Sequence, residues 1–399
     1  MANLKAPLVD EIARKCIETY MKLDKNGKPT KEEWTVLSCI VKYDNLTSCF
    51  EVVSLGTGSK CIGGTKMSSK GDLLNDSHAE VIARRGFLLY LYDNIKRVLE
   101  ERSSIFIYDN NKFKLKENIE FVFYSSQLPC GDASITLKSN EEDVGEVITH
   151  KRHAEDDICD VSPKKTKMSP DINRTGAKCL PQNQQDLKGP GSEYHLVGQV
   201  RIKPGRGDRT LSVSCSDKMA KWIHLGIQGS LLDMLLEPIY LKSFIFGAGV
   251  PFSEHSLERA FFKRNQDNVL DVLKLLPKIH QASVIFPHIR NECNNRPSPG
   301  SIVWIKLDDI NMIHEVAVQG RKLGLTKKKA TSPINSLCIT KYNLYRRFQD
   351  ILYKNKINII SMEIMDTVPY NAMKKKSLRY LKTWEEVKEK FFRTWTLKP

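Results

Sequence analysis

A long apolar helix set between strand-like segments is the feature that most constrains how this chain can fold. The helix begins near Ser77 and its apolar positions continue through 81–91, which predicts a buried helix. Strand-like runs precede it at 34–43 and 50–55, and another follows at 119–125. Strand, helix and strand in this order predict an α/β fold built on a parallel sheet.

The rest of the chain repeats both patterns. Helical periodicity predicts an amphipathic helix at 7–23, a second long apolar helix at 219–236, and two closing helices at 337–353 and 371–395. Further strands are predicted at 194–203, 241–246, 282–286, 302–307 and 315–318.

The composition limits the class of protein. The 399 residues are 41% hydrophobic and contain no run of 18 apolar residues, which predicts a globular protein that is neither secreted nor inserted in a membrane. Ten cysteines without C-x-x-C pairs are typical of reduced thiols inside the cell. The net charge of +15 favours a polyanionic partner such as nucleic acid, and no feature indicates an obligate protein partner.

His78 and Glu80 open the apolar helix. In the first helical turn, a histidine ligand and an acid–base carboxylate would both point at the same spot in front of the helix. The alternative is a capping box over 77–80, in which Glu80 bonds back to the Ser77 N–H. Taken alone, the motif favours the cap.

Cys130 and Cys215 stand where a strand-like approach turns into a helix, as His78 does. A thiol at a helix N-terminus has a lowered pKa, and one His with two Cys leaves a fourth zinc position open for water. Base deaminases that use zinc carry H-x-E and P-C-x-x-C. Here Pro129-Cys130 is present but Ala133 replaces the second cysteine, so the third ligand must come from elsewhere.

A segment at about 139–192 differs in character from the rest of the predicted single domain, 1–399. It contains no Phe, Trp or Tyr, and acidic and basic clusters alternate along it. This composition predicts a flexible insertion, at least over 139–172. The triplet His153-Ala154-Glu155 repeats the earlier motif, but no apolar helix follows it and we discount it as a metal site.

Four ordered motifs resemble the deaminase domain shared by adenosine deaminases acting on RNA and on tRNA. They lie at 75–80, 129–134, 214–218 and 225–232, and the resemblance spans nearly the whole chain. It implies a cytidine-deaminase-like three-layer α/β core with additional C-terminal helices. It also implies hydrolytic deamination of adenosine to inosine, with His78, Cys130 and Cys215 as zinc ligands and Glu80 as the proton shuttle.

Segments 174–179 and 200–215 are most similar to the tRNA-acting branch of that family, which implies tRNA as partner and the adenosine immediately 3′ of the anticodon of alanine tRNA as target. Since the predicted domain begins almost at residue 1, we expect none of the double-stranded-RNA modules of messenger editors, unless the insertion substitutes for them. Two alternatives stay open: editing of messenger or double-stranded RNA, and a non-catalytic basic RNA-binding protein with a structural zinc. The expected location is the nucleus, the cytoplasm or both; the basic run 164–167 fits a nuclear signal or a solvated surface equally.

Cations within the two apolar helices are costly unless they are paired or reach the surface. The resemblance implies that they surround a buried inositol hexakisphosphate, held by Asn75, Arg84, Arg85, Ser212, Lys218, Lys221, Trp222, Gln228, Ser230, Lys341, Tyr370, Lys374, Tyr380, Trp395 and Lys398. Asp76 and Lys203 would link this ligand to the zinc region. Trp384 stands where a lysine is expected, Lys221 stands where the RNA editors have arginine, and the last helix is shorter.

Overall fold

The computed structural model describes residues 4–138, 146–148, 165–167, 171–187, 189, 191–205, 208–264, 275–308, 310–330, 332–354 and 368–396. Within these residues we find no helix with the length and apolar character needed to span a bilayer.

Eight strands of the described chain form a central mixed sheet. Its order is β5-β4-β3-β1-β2-β6-β7-β8. The strands are β1 (Leu37–Asp44), β2 (Cys49–Thr57), β3 (Ile119–Ser125), β4 (Ser243–Phe246), β5 (Lys278–Gln281), β6 (Gly300–Lys306), β7 (Met312–Val318) and β8 (Arg321–Lys322).

The sheet is parallel only across β3, β4 and β5; the other neighbours are antiparallel. The expectation of a parallel sheet was therefore wrong for most strands. Short turns join β1 to β2 and β6 to β7, and a connection of that length can join only antiparallel strands.

Helices cover both faces of the sheet. Helix α1 (Ala6–Met21) packs Ile12, Cys16 and Tyr20 into the same cluster as the odd-numbered β1 residues Leu37, Cys39 and Val41. Helix α2 (Ala79–Leu99) packs on the opposite face, in a second cluster that includes Ile40. Side chains alternate between the faces of a strand, so β1 contributes to both clusters. The predicted three-layer α/β core is confirmed.

The remaining helices all come after α2 in the chain. They are α3 (Cys215–Leu225), α4 (Gly229–Asp233), α5 (Glu254–Phe261), α6 (Lys327–Ala330), α7 (Lys341–Lys354), α8 (Tyr370–Lys374) and α9 (Leu378–Val387), and a π-helical turn follows at Lys388–Phe392. The single helices predicted at 219–236 and 371–395 are each divided. Gly226 has φ +89° and Gly229 has φ +74°, conformations that end one helix and redirect the chain before the next.

Two predicted strands also differ from the structure. Of 194–203 only Arg201–Ile202 is a strand, paired with Lys178–Cys179. The strand predicted at 282–286 lies four residues earlier, as β5, because after pairing with β4 the chain leaves the sheet and Ser283 donates to Asp10 of α1.

Short strand pairs and 3₁₀ turns complete the fold. The pairs are Glu33–Trp34 with Arg296–Pro297, Ser59–Cys61 with Asp76–His78, Phe106–Asp109 with Lys112–Leu115, Thr136–Leu137 with Ile172–Asn173, and Glu146–Ile148 with Lys165–Lys167. The 3₁₀ turns are Gly64–Lys66, Asp132–Ser134, Gly191–Tyr194 and Pro333–Asn335.

Part of the predicted insertion belongs to the packed fold. Ile172, Ala177, Cys179 and Leu180 are buried, and Asp186 forms an ion pair with Arg201. Within the insertion predicted to be flexible, the stretch 171–187 therefore contributes its few apolar residues to the core. The triplet at 153–155 lies outside the described residues.

Candidate metal centre

His78 is positioned by a strand that runs directly into α2. Strand Asp76–His78 pairs with Ser59–Cys61, and Ala79 N donates to Gly58 O. Asp76 Oδ1 accepts from His78 N at 3.1 Å. Helix α2 starts at Ala79, so His78 is its N-cap residue and makes no side-chain capping bond. The capping-box alternative around Ser77 is therefore not the arrangement adopted.

Cys215 is the first residue of α3. The Ser214 hydroxyl caps this helix by accepting from Asp217 N at 3.2 Å. Helical periodicity correctly indicated a helix in this region, and the thiol stands at its N-terminus as expected.

Cys130 differs from the expectation because only a 3₁₀ turn, Asp132–Ser134, follows it. Gly131 lies between them with φ +108°, and a Cβ there would clash with Ser214 Oγ. Absence of a side chain at Gly131 lets the two cysteine loops touch. Ser216 N donates to Cys130 O at 3.0 Å and Cys215 N donates to Cys130 Sγ at 3.3 Å.

The three expected ligand residues lie together. His78 Nδ1 is 3.6 Å from Cys215 Sγ and 4.0 Å from Cys130 Sγ, and all three ligand atoms lie within 4.8 Å of one another. Zn–S and Zn–N bonds of about 2.3 and 2.0 Å in a tetrahedron place ligand atoms roughly 3.3–3.8 Å apart. The donor set therefore fits zinc with one coordination position left open.

Glu80 faces this cluster from the first turn of α2. It is 3% exposed, and its Oε2 has no hydrogen-bond partner among the described residues. Burial raises the pKa of its carboxyl group, while His78 opposes that rise. A buried carboxylate oxygen without a partner costs free energy, so this arrangement favours a role that requires Oε2 to be unpaired.

The two ligand thiols have opposite pKa shifts, because burial and the hydrogen bond to Cys130 raise the pKa of Cys215 well above its usual value. The hydrogen bond from the Cys215 thiol holds the pKa of Cys130 well below its usual range, although burial opposes the shift. Lys203 Nζ also donates to Cys215 Sγ at 3.0 Å. Thiolates are the form of cysteine that binds metal.

Asp76 and Lys203 connect the cluster to a second site. Lys203 Nζ lies 2.8 and 2.9 Å from the two carboxylate oxygens of Asp76, and Lys218 Nζ pairs with the same carboxylate. Burial opposes the charge of Lys203, but Asp76 and Cys215 outweigh it and raise its pKa well above the usual value. The expected link is therefore a continuous chain of contacts.

The second site is a cavity of about 260 Å³ between α2, α3, α4, α7, α8 and α9. Its lining includes six cationic side chains and one carboxylate, Asp76. Twelve of the fifteen residues expected around inositol hexakisphosphate line it: Asn75, Arg84, Arg85, Lys218, Lys221, Trp222, Gln228, Ser230, Lys341, Tyr370, Lys374 and Tyr380.

The other three expected residues do not line the cavity in the described chain. Ser212 is buried beside the zinc region, where its carbonyl accepts from Lys203 N. The ring centroid of Trp395 lies 5.2 Å from Lys221 Nζ. Lys398 lies outside the described residues.

The cavity also contains features that sequence reasoning missed. Tyr92 lines it with Val81, Arg84, Arg85 and Leu88, a helical spacing on α2 that could have revealed it. Beside the cavity, Trp384 stands at the position where the family resemblance predicts a lysine. Its ring centroid lies 3.3 Å from Lys221 Nζ.

The cations of this cavity are electrostatically strained. Burial lowers the pKa of Arg85 to about 10. Burial, with Lys374 and Arg84 nearby, lowers the pKa of Lys221 well below its ordinary value. Although burial raises the pKa of the Tyr370 hydroxyl, Lys374 and Arg85 bring it below the usual value. Burial alone disfavours a charge of either sign, so it is the lowered pKa of Tyr370, set by neighbouring cations, that indicates a site favouring negative charge.

A three-layer α/β fold with His-x-Glu at a helix start and two cysteines around one open coordination position defines the class of zinc-dependent nucleobase deaminases. The comparisons are specific within that class. The adenosine-deaminase (editase) domain family matches residues 54–399. The chain belongs to this family and is an adenosine deaminase, as the sequence motifs predicted.

Two tRNA-specific relatives match nearly the whole chain, and a double-stranded-RNA editase matches part of it. It is 38% identical to tRNA-specific adenosine deaminase 1 of Drosophila melanogaster over 100% of this chain and 97% of the relative. It is 33% identical to tRNA-specific adenosine deaminase 1 of Homo sapiens over 98% of both. It is 34% identical to double-stranded RNA-specific editase Adar of Drosophila melanogaster, over 60% of this chain and 33% of the relative.

Proposed function

We propose that this protein converts adenosine to inosine in tRNA by zinc-dependent hydrolytic deamination. The observation that carries the proposal is the pairing of an open His-Cys-Cys ligand set with a buried carboxylate, Glu80, that has no partner for Oε2 in the described chain. A non-catalytic protein with a structural zinc would have no use for such a carboxylate, since burying it costs free energy.

His78, Cys130 and Cys215 would hold the zinc. When bound, zinc supplies a Lewis acid that makes water nucleophilic near neutral pH. The fourth position is the one that catalytic sites keep free, whereas structural sites are closed by four protein ligands.

Glu80 is assigned the proton transfers. It accepts a proton as water adds to C6 of adenine, and it returns a proton to the departing amine, so that water and adenosine give inosine and ammonia. Its raised pKa brings proton release closer to neutral pH, which suits a group that must accept and donate in one cycle.

The tRNA assignment rests on full-length similarity to tRNA-specific relatives and on the charge of +15. Basic side chains would position phosphates while the flipped adenine enters the site. We propose alanine tRNA, at the adenosine immediately 3′ of the anticodon, as the substrate that the motifs at 174–179 and 200–215 favour.

We further propose that the cationic cavity holds inositol hexakisphosphate as a buried structural ligand. Arg84, Arg85, Lys218, Lys221, Lys341 and Lys374 converge on it, and like charges at this density oppose folding unless an anion compensates them. Trp384 and Trp395 beside Lys221 supply ring faces, which attract a cation and replace part of the missing polar contacts.

Glu80→Gln tests the catalytic assignment. We expect the variant to bind one zinc per chain but to form inosine about 10²- to 10⁴-fold more slowly, because general acid–base catalysis contributes a factor on that order. Inosine is measured on a tRNA panel and on long duplex RNA, and Glu100→Gln, at the exposed end of α2, is the control. Full activity of Glu80→Gln would refute the shuttle role, and product on duplex RNA alone would refute tRNA as substrate.

A further inference from the structure

Both metal cysteines are followed at the same spacing by a fully buried aspartate. The sequences are Cys130-Gly131-Asp132 and Cys215-Ser216-Asp217, and each aspartate is 0% exposed. Neither carboxylate belongs to the ligand cluster. Because a buried carboxylate is costly without partners, each needs a compensating cation.

Arg259 compensates Asp132. Its Nε donates to Asp132 Oδ2 at 3.2 Å, and its Nη2 donates to Asp132 O at 2.8 Å and to Ile135 O at 2.9 Å. Gly198 N donates to the other carboxylate oxygen at 2.7 Å. One guanidinium therefore fixes both ends of the 3₁₀ turn that follows Cys130.

Arg264 compensates Asp217. Its Nη2 lies 2.5 Å from Asp217 Oδ1 as an ion pair between two side chains that are both 0% exposed, although its N–H groups are not aligned for a hydrogen bond. Asp217 Oδ2 accepts from Ser214 Oγ at 2.6 Å and from Arg201 N at 2.9 Å. The pair therefore anchors the first turn of α3, which carries Cys215.

The arginines are themselves held in place. Arg259 lies in α5, and Arg264 follows the end of that helix by three residues. Arg264 Cζ lies 5.2 and 5.1 Å from the ring centroids of Phe391 and Phe392, and its Nε donates to Ala260 O. One segment, 259–264, thus contacts both cysteine loops.

We propose that Arg259 and Arg264 are positioning residues that hold Cys130 and Cys215 at metal-binding distance from His78. The inference rests on the proposed metal centre. The planar guanidinium of Arg259 binds a carboxylate and two carbonyls together, and that of Arg264 lies near two phenylalanine rings while its Nε donates to Ala260 O, whereas lysine is a point charge that reproduces neither arrangement. Replacing either arginine with lysine keeps the positive charge but removes the planar guanidinium and the contacts that depend on its shape.

Zinc release measures the effect without using catalysis. Purified wild type, Arg259→Lys and Arg264→Lys are loaded with zinc and mixed with a chromogenic chelator, and the equilibrium affinity is measured by competition. We expect zinc affinity to fall about 10- to 100-fold, the usual effect of changing a residue that orients metal ligands. Arg97→Lys is the matched control, because Arg97 pairs with Asp93 on α2 and does not contact the cysteine loops.

The outcomes separate the two proposals. If wild type binds no zinc, the metal centre itself fails. If wild type binds zinc, and Arg259→Lys and Arg264→Lys bind it with the same affinity as wild type and the Arg97→Lys control, the positioning role is wrong. Should Arg264→Lys fail to fold, Asp217→Asn/Arg264→Gln, which removes both charges, is measured instead, and wild-type zinc affinity in that folded variant would also overturn the proposal.

Discussion

At the scale of single residues, Lys203 joins the two sites. It is 1% exposed and contacts both Asp76 and Cys215. Removing one partner of a buried ion pair costs about 3–5 kcal/mol, so Lys203→Met should lower the free energy of unfolding by roughly 3 kcal/mol. Urea denaturation measures it, with Lys306→Met as control because Lys306 pairs with Glu51 near the surface.

The pH dependence of this loss has a defined sign. The pKa of Lys203 is raised in the folded state, so its stabilisation is complete below the ordinary lysine pKa of about 10.4. It is lost only as pH rises through the folded-state value. Lys203 itself therefore does not titrate between pH 6 and 9, so the difference between wild type and Lys203→Met should persist throughout that range, and a difference that disappears within it would contradict the assignment.

The sequence identified these residues better than it identified their contacts. His78, Glu80, Cys130 and Cys215 follow from motif spacing and resemblance, and the structure brings the three ligand atoms together. Arg259 and Arg264 could not be recognised, because an arginine in or just after an amphipathic helix resembles any surface cation until the fold places it against a buried aspartate.

At the scale of structural elements, the contact between the two cysteine loops depends on Gly131. Alanine there would clash with Ser214 Oγ and would hold an L-residue at φ +108°, a conformation costing on the order of 1–3 kcal/mol. We expect Gly131→Ala to lower the melting temperature and to bind less than one zinc per chain. Calorimetry and metal analysis measure both.

Gly189→Ala is the control for that substitution. A Cβ at Gly189 meets no atom within 4 Å, so its melting temperature and zinc content should match wild type. If Gly131→Ala behaves like Gly189→Ala, close packing of the loops does not shape the metal centre.

Element boundaries show where periodicity stops being informative. Residues 219–236 have continuous helical spacing, yet the helix ends at Gly226, where φ is +89°. At Gly229 a Cβ would lie 2.5 Å from Arg84 Nη2 on another helix. The contact with Arg84 is tertiary, and periodicity within one helix cannot indicate it.

At the scale of the whole molecule, the cationic cavity joins α2 to the C-terminal helices. Arg84 and Arg85 belong to α2, Lys341 opens α7, and Lys374 ends α8. Without an anion, the cations on these elements repel one another around a cavity of about 260 Å³. The stability of the assembled fold is therefore expected to depend on a bound polyanion.

The sign of that dependence follows from the depressed pKa of Lys221. A folded-state pKa below the unfolded value means that the unfolded chain binds more protons, so the anion-free protein should become less stable as pH falls. A polyanion restores the charge on Lys221 and should remove this slope. Urea unfolding of anion-free protein between pH 6 and 9, with and without inositol hexakisphosphate, measures both effects.

Lys221→Gln and the exposed Lys382→Gln form the matched pair for this experiment. The first should flatten the pH slope of the anion-free protein and weaken stabilisation by inositol hexakisphosphate, because it removes a cation that the ligand compensates. The second should behave as wild type, since its charge is already solvated. If sulfate at equal ionic strength stabilises wild type as much as inositol hexakisphosphate does, the cavity has no preference for a polyphosphate, and the C-terminal helices pack on α2 without one.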